Sequence, residues 1–147
     1  THTQTTKEEL IENFGQRVCD IVLECSDDKS VSKVERKKQQ ILHAKTASIG
    51  AKFVKLGDKW SNIKSLLDSP PTFWSEDRVR GYVIWGQAVI YACFLKCIEC
   101  SQSDNDIFLS LMKNLEIIVQ KFGVSLNPKY DEKELEQYYK SLEGNDD

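Results

Sequence analysis

The sequence lacks any long hydrophobic run, any marked excess of charge and any sign of β-structure. No segment approaches the roughly 18 consecutive apolar residues of a membrane-spanning helix, and the first residues carry no signal-peptide pattern. The net charge of −3 gives no reason to expect nucleic acid or a membrane surface as a partner. Strand alternation, hairpin turns, a glycine-rich phosphate loop and internal repeats are also missing from the pattern. We therefore expect a single all-α domain, for which 147 residues provide enough core.

Histidine is scarce and cysteine is odd in number: the chain has two histidines, no His-Asp pair, and five cysteines. Cys93, Cys97 and Cys100 follow an i, i+4, i+7 spacing, which predicts one face of a single helix. Three thiolates on one straight helix cannot surround a tetrahedral ion. We interpret them as small apolar core residues in a reducing compartment, and we expect a cytoplasmic protein.

The strongest helical pattern in the chain covers residues 51–67. Its apolar stripe consists of Leu56, Trp60, Ile63 and Leu67. The opposite face begins with Ala51 and Val54 and continues through Asp58, which predicts a helix buried on both sides with lysines 52, 55 and 59 on one flank. A carboxylate on such a line needs a charge partner, hydrogen bonds or a metal. The residues alone leave Asp58 as either a structural aspartate or a metal ligand with Asn62 one turn on.

A basic helix is predicted before this stretch, over residues 33–42 with Ser32 as its cap. Lys33, Arg36 and Lys37 share one face by their i, i+3, i+4 spacing. Two interpretations remain open: a solvated surface helix, or a cationic wall that faces a phosphate group.

The remaining elements are predicted from caps and breakers. Thr6 and Glu9 form a capping-box pattern, Gly15 marks a break, and prolines 70 and 71 end the central helix. Further helices are predicted from Ser75, with Arg78 and Tyr82 as i, i+4 partners, from Asp104 or Asp106 to Gly123, and from Asp131 to Leu142. The last of these has few apolar anchors, so we expect it to dock loosely. The predicted organisation is a domain over 1–126 and a polar extension over 127–147.

Several motifs, taken together, resemble the RelA/SpoT type of HD-domain hydrolase. Residues 55–66 read K-L-G-D-K-W-S-N-I-K-S-L, which resembles that family's V-K-L-A-D-K-x-x-N-x-x-x-L motif. Residues 5–15 are similar to a T-T-x-E-E-L-x-x-x-F-G segment that follows the family's E-D-T motif. The D-D-K and K-V-E-R-K runs at 27–37 and the W-S-E-D-R-V run at 74–79, with Tyr82, resemble the metazoan SpoT homologues called the Mesh group. The resemblance covers roughly residues 3–123 in order.

The resemblance implies an all-helical HD fold with one Mn²⁺ ion, hydrolysis of the 3′-pyrophosphate of (p)ppGpp in the stringent response, and a further link to NADPH 2′-phosphatase activity. It implies that Asp58 is the last metal ligand. It also implies nucleotide or phosphate contacts at Asn62, Ser65, Lys33, Arg78 and Tyr82, and more weakly at Arg36 and Lys37. The implied partner is a small-molecule nucleotide.

The family's His and His-Asp residues have no counterpart in this chain, and its Glu-Asp would fall at Thr1-His2. Either those two residues are replaced, or a short insertion shifts the count and the chain begins inside the motif. We therefore expect the C-terminal part of a helical HD-like bundle without its N-terminal helices, with no acid–base pair and with an exposed apolar face. The chain begins at Thr1 rather than Met, which favours a fragment of a Mn²⁺-dependent hydrolase that is inactive alone. The alternative is a catalytically dead, truncated paralogue that binds nucleotides or proteins.

Overall fold

The structure is a computed structural model that describes residues 6–121, 123 and 132–143, and these residues form seven α-helices. The helices are α1 (Lys7–Phe14), α2 (Gln16–Cys25), α3 (Lys33–Ala44), α4 (Ile49–Asp68), α5 (Glu76–Phe94), α6 (Gln102–Gln120) and α7 (Glu132–Leu142). None of the described residues lies in a strand. The all-α prediction is confirmed.

Serine and threonine caps fix most helix starts, because their side-chain oxygens accept the free backbone N–H groups of the first turn. Thr6 accepts from the Glu9 amide at 3.1 Å, as the sequence predicted, and Ser32 accepts from the Glu35 amide at the same distance. The predicted start of α6 is wrong by a few residues. Ser101 and Asp104 form a reciprocal capping box there, so the helix begins at Gln102.

The core lies where α4 packs against α5, and α3, α6 and α7 cover this pair. Leu56 and Ile63 of the predicted stripe are fully buried. Gly86 of α5 allows the close approach, because a Cβ atom at this position would lie 3.0 Å from Ile63 Cδ1. The stripe is therefore covered by the described helices, and the expectation that it would be exposed is wrong.

The other buried side of α4 is its lysine flank, which corrects the prediction that Ala51, Val54 and Asp58 would share a buried line. Val54 is 49% exposed, whereas Lys52, Lys55 and Lys59 are buried. Lysine stems are apolar enough to pack in a core when the ammonium group finds a partner. Lys52 meets this condition, because its Nζ donates to the carbonyl oxygens of Lys45 and Cys93 at the ends of α3 and α5.

Helix α7 packs into the core against α5 and α3, so the expected loose docking is wrong. Its four buried side chains are Leu135, Tyr138, Tyr139 and Leu142. The proposed boundary between residues 126 and 127 lies outside the described residues and stays a prediction.

The cysteines also differ from expectation, since Cys97 and Cys100 form a disulfide instead of belonging to one helix face with Cys93. Helix α5 ends at Phe94, and Lys96 adopts a left-handed backbone with φ of 58°. The resulting turn brings the Cα atoms of the pair to 5.4 Å. Cys93 stays a buried thiol, and burial raises its pKa to about 11. Among the described helices, none has the length and apolar character needed to cross a membrane.

Candidate functional site

Basic and aromatic side chains from α3, α4 and α5 meet on one side of the bundle. We call this set the cationic–aromatic cluster, and its members are Lys37, Lys59, Trp74, Arg78, Tyr82 and Trp85. The segment before α5 contributes Trp74. The cluster combines three cations with three rings at the rim of a hydrophobic core.

Lys37 lies at the centre of this cluster. Its Nζ atom is 3.7 Å from the ring centroid of Trp85 and 5.0 Å from that of Tyr82, which are cation–π distances. The indole nitrogen of Trp85 donates a hydrogen bond to the Lys37 carbonyl oxygen at 3.0 Å. Trp85 is 2% exposed, so it anchors both the backbone and the ammonium group of Lys37 to α5.

Burial, the largest cause, and repulsion from Lys59 and Lys33 together lower the pKa of Lys37 to about 7. Asp27 opposes this effect, while Arg78 adds a smaller repulsion. The positive groups are therefore close enough to repel one another. An anion placed between them would relieve that repulsion and favour the charged form of Lys37.

Arg78 and the aromatic rings form the other half of the cluster. The Arg78 guanidinium lies 4.2 Å from the Trp74 ring centroid, and the Tyr82 ring lies 6.2 Å from Trp74 and 5.3 Å from Trp85. Burial raises the pKa of Tyr82 to about 12, so its hydroxyl stays protonated at neutral pH. Planar cations and rings in this arrangement suit a phosphorylated aromatic ligand such as a nucleotide.

Asp58 and Asn62 lie at the edge of the cluster. The Asp58 carboxylate accepts from Lys59 Nζ at 2.9 Å and from the Asn62 amide at 3.4 Å, and the same amide donates to the Tyr82 hydroxyl at 3.1 Å. The Asp58 side chain is 53% exposed. Its oxygens are thus solvent-accessible but tied to the arginine–tyrosine part of α5 through one hydrogen-bonded chain.

The other candidate residues lie on the same helices. Lys33 and Arg36 are half-buried on α3, and Ser65 is exposed on α4 three residues after Asn62. The Arg36 Nε atom is buried without a hydrogen-bond acceptor among the described residues. The nucleotide contacts assigned to these residues by resemblance stay predictions, as does the metal-ligand role of Asp58.

Sequence reasoning missed Lys59, Trp74 and Trp85 as members of the site. Lys59 directly follows the candidate metal ligand, and its side chain is only 7% exposed. Its Nζ atom lies 4.6 Å from the Trp85 ring centroid. The available signal was Trp85 itself, which lies seven residues after Arg78 and so falls on the same side of α5.

The described residues do not by themselves form a metal site. Asp58 offers one carboxylate, and its immediate neighbours are an ammonium group and an amide. In the part of the chain that the structure describes, no three His, Cys, Asp or Glu side chains lie close enough together to hold an ion. A Mn²⁺ ion needs more ligands than this one carboxylate.

Comparison with known proteins gives a consistent picture. No family model matches the chain. The chain is 46% identical over 88 residues to the mouse (Mus musculus) protein named guanosine-3′,5′-bis(diphosphate) 3′-pyrophosphohydrolase MESH1, a match that covers 60% of this chain and 49% of the relative. The human (Homo sapiens) and Drosophila melanogaster proteins of that name are 43% and 40% identical over the same shares.

A solved structure agrees with these sequence matches. It is described as a metazoan ortholog of SpoT that hydrolyses ppGpp and plays a role in starvation responses. It superposes with a TM-score of 0.62 at 31% identity, over 77% of this chain and 61% of that one.

The fold and these matches confirm the resemblance to the RelA/SpoT-type HD-domain hydrolases and the helical HD-like class. Within that class the chain is similar to the Mesh group of metazoan SpoT homologues. It spans about half the length of the curated relatives that it matches, 49% in each case.

Proposed function

We propose that this chain is the C-terminal, nucleotide-binding part of a (p)ppGpp 3′-pyrophosphohydrolase. The observation that supports it best is the cationic–aromatic cluster beside Asp58 and Asn62. The names of the relatives point to the same substrate, a guanosine carrying two diphosphates.

In this proposal each part of the cluster has one task. Arg78 and Lys33 bind phosphate oxygens, because guanidinium and ammonium groups are the strongest donors to phosphate. Tyr82 and Trp74 contact the base or ribose, and Asn62 holds the Tyr82 hydroxyl in place. Ser65 on α4 and Arg36 and Lys37 on α3 are secondary contacts.

Asp58 supplies one oxygen ligand for Mn²⁺ in this proposal, and the other ligands come from residues beyond the described part of the chain. Its exposure and its position at the edge of the cluster leave it accessible to an ion. We derive no catalytic step through the metal, because the described residues hold only this ligand. We expect the isolated chain to release no pyrophosphate, since the acid–base groups of the family are missing from its sequence. NADPH, through its 2′-phosphate, is a second substrate to test.

Binding is the direct test, since it does not require the metal. Calorimetric titration of the chain with ppGpp, GDP and NADPH without divalent ions should give tighter binding of ppGpp than of GDP. Arg78→Ala should weaken ppGpp binding at least tenfold, which corresponds to about 1.4 kcal/mol. Arg17→Ala, on the exposed surface of α2, is the matched control and should leave binding unchanged. Equal loss in both variants would contradict the proposed site.

The alternative is a nucleotide-binding module without catalysis, which the same cluster also supports. Here the carboxylate of Asp58 serves only to hold Lys59 and Asn62. Pyrophosphate release from ppGpp with Mn²⁺ separates the two, when it is measured on the longest natural form of the protein. Turnover supports the hydrolase, while binding without turnover supports the module.

A further inference from the structure

Helix α7 lies outside the segment that carries the family resemblance, yet it packs against α3 and α5, two of the three helices that hold the candidate site. Its residue Tyr138 is 4% exposed. The Tyr138 ring centroid lies 5.5 Å from Lys37 Nζ. Tyr138 belongs to α7, whereas Tyr82 and Trp85 belong to α5. Three aromatic rings from two helices, those of Tyr82, Trp85 and Tyr138, thus surround the Lys37 ammonium group, and we call them the aromatic enclosure of Lys37.

Gly81 makes this approach possible. A Cβ atom at position 81 would lie 2.7 Å from Tyr138 Cγ and 3.0 Å from Tyr138 Cβ, distances that a side chain cannot occupy. The tyrosine therefore rests directly on the α5 backbone, one residue before Tyr82. An ion pair between Arg80 and Glu134, at 2.9 Å, holds the two helices together at the same level.

The phenol of Tyr138 is also in electrostatic reach of the site. Burial raises its pKa, the nearby Tyr82 hydroxyl raises it further, and Arg78 lowers it. Tyr138 thus faces Arg78 and Tyr82, the two α5 residues that are expected to contact the nucleotide. A substitution at Tyr138 changes the surroundings of the site without removing any of its predicted ligands.

We propose that Tyr138 is a positioning residue: it closes the aromatic enclosure of Lys37, and α7 thereby sets how the candidate site binds an anionic nucleotide. The proposal rests on the proposed function for the nature of the ligand. The effect of Tyr138 on the protonation of Lys37 does not depend on which ligand binds.

The enclosure makes binding depend on pH. Several charged and titratable groups face Lys37. They are Asp27 before α3, Lys33 on α3, Lys59 on α4, Arg78 and Tyr82 on α5, and Tyr138 on α7. With a pKa of about 7, Lys37 is half protonated at neutral pH. A phosphate group favours its charged form, so affinity should fall about tenfold between pH 6 and pH 8 by proton linkage. When the aromatic enclosure is opened, Lys37 stays fully protonated between pH 6 and pH 8, and its contribution to the pH dependence of nucleotide affinity disappears.

The test uses the full chain and four variants. Tyr138→Ala removes the ring, and Gly81→Ala displaces it by overpacking. Both changes admit water to the Lys37 ammonium group, and because burial is the largest cause of its low pKa, this gain should exceed the lost cation–π attraction of a ring 5.5 Å away. Both variants should therefore raise the pKa of Lys37 in an NMR titration of the lysine Nζ signals. Tyr138→Phe keeps the ring and should behave as the wild type. Tyr139→Ala is the matched control, because this neighbouring ring is equally buried but lies over Lys38, at 5.3 Å.

Calorimetric titration with ppGpp at pH 6 and pH 8 gives the second measurement. The phosphates of the nucleotide titrate equally with every variant. A difference between variants in the pH dependence of affinity therefore reflects groups of the protein. The proposal is supported if Tyr138→Ala and Gly81→Ala both flatten the pH dependence and Tyr139→Ala does not. It is overturned if the Lys37 pKa changes no more in Tyr138→Ala and Gly81→Ala than in Tyr139→Ala, even when all variants bind ppGpp. A raised Lys37 pKa in a chain that binds no ppGpp supports the positioning role and rejects the proposed ligand.

Discussion

Trp85→Phe is the substitution that best measures how the cluster is held together. The side chain is 2% exposed, and its indole nitrogen donates to the Lys37 carbonyl oxygen at 3.0 Å. Its ring also lies 3.7 Å and 4.6 Å from the ammonium groups of Lys37 and Lys59. Phenylalanine keeps a six-membered ring but loses the donor, the larger π-surface and part of the packing.

The expected loss has three parts. The missing hydrogen bond costs about 1 kcal/mol. The weaker cation–π contacts with two buried ammonium groups cost about 0.5–1 kcal/mol together, and the space left by the smaller ring costs about 1 kcal/mol. We therefore expect Trp85→Phe to lower the free energy of unfolding by about 2.5–3 kcal/mol.

Trp60→Phe is the matched control. Trp60 also donates from its indole nitrogen to a backbone carbonyl, that of Leu111 at 3.3 Å, but it is half-buried and its one lysine neighbour, Lys64, is 5.7 Å from the ring. We expect a loss of about 1 kcal/mol there. Both values come from urea denaturation followed by circular dichroism, with equal m-values as the condition for comparing them. A difference below about 1 kcal/mol would refute the idea that buried lysines are stabilised by Trp85.

Three further predictions concern charge, redox state and capping. The pKa of Lys37 is about 7 in the folded chain and 10.5 in the unfolded chain. Between pH 7 and about pH 8.5 the unfolded chain therefore binds more protons, and the free energy of unfolding should rise with pH by up to about 1.4 kcal/mol per pH unit. Urea denaturation of the wild type relative to Lys37→Met measures this rise, which should be absent if Lys37 is fully hydrated. Reduction of the Cys97–Cys100 pair should add two fast-reacting thiols in a native Ellman titration, and Cys97→Ser should leave one such thiol whether or not a reductant is present. Ser32→Ala should lower stability by about 1 kcal/mol in thermal denaturation because α3 loses its cap, and no change would show that the Ser32–Glu35 bond contributes nothing.

Local patterns predicted the helices well where a cap or a breaker marks their ends. The caps at Thr6 and Ser32 and the break at Gly15 appear in the structure as the sequence indicated. The central helix also agrees, since residues 51–67 lie within α4. These features depend on neighbouring residues alone, so the sequence contains them directly.

Which side of α4 is buried could not be predicted in the same way. A helical wheel treats Lys52 and Lys59 as polar, although their stems pack in the core and their ammonium groups reach carbonyl oxygens, a carboxylate and an indole ring. Those partners lie on other helices or require a particular rotamer. The pattern rules therefore placed Val54 and Asp58 inside, whereas the structure exposes both.

Long-range matches explain the other differences. Helix α7 docks because Tyr138 fits over Gly81, a pair 57 positions apart that no local pattern connects. The candidate site likewise needs α3, α4 and α5 to bring Lys37, Asn62 and Tyr82 together. Family motifs indicated these residues one by one, but the enclosure of Lys37 follows only from the packed structure.

The most direct test of the account follows the three tryptophan indole signals in a ¹H–¹⁵N NMR titration with ppGpp. Trp74 and Trp85 belong to the cationic–aromatic cluster, whereas Trp60 lies against α6. We predict that the Trp74 and Trp85 signals shift with saturation while the Trp60 signal stays in place. Saturable shifts at Trp60 alone, or no shift at Trp74 and Trp85 when calorimetry shows binding, would contradict the assignment of the cluster as the nucleotide site.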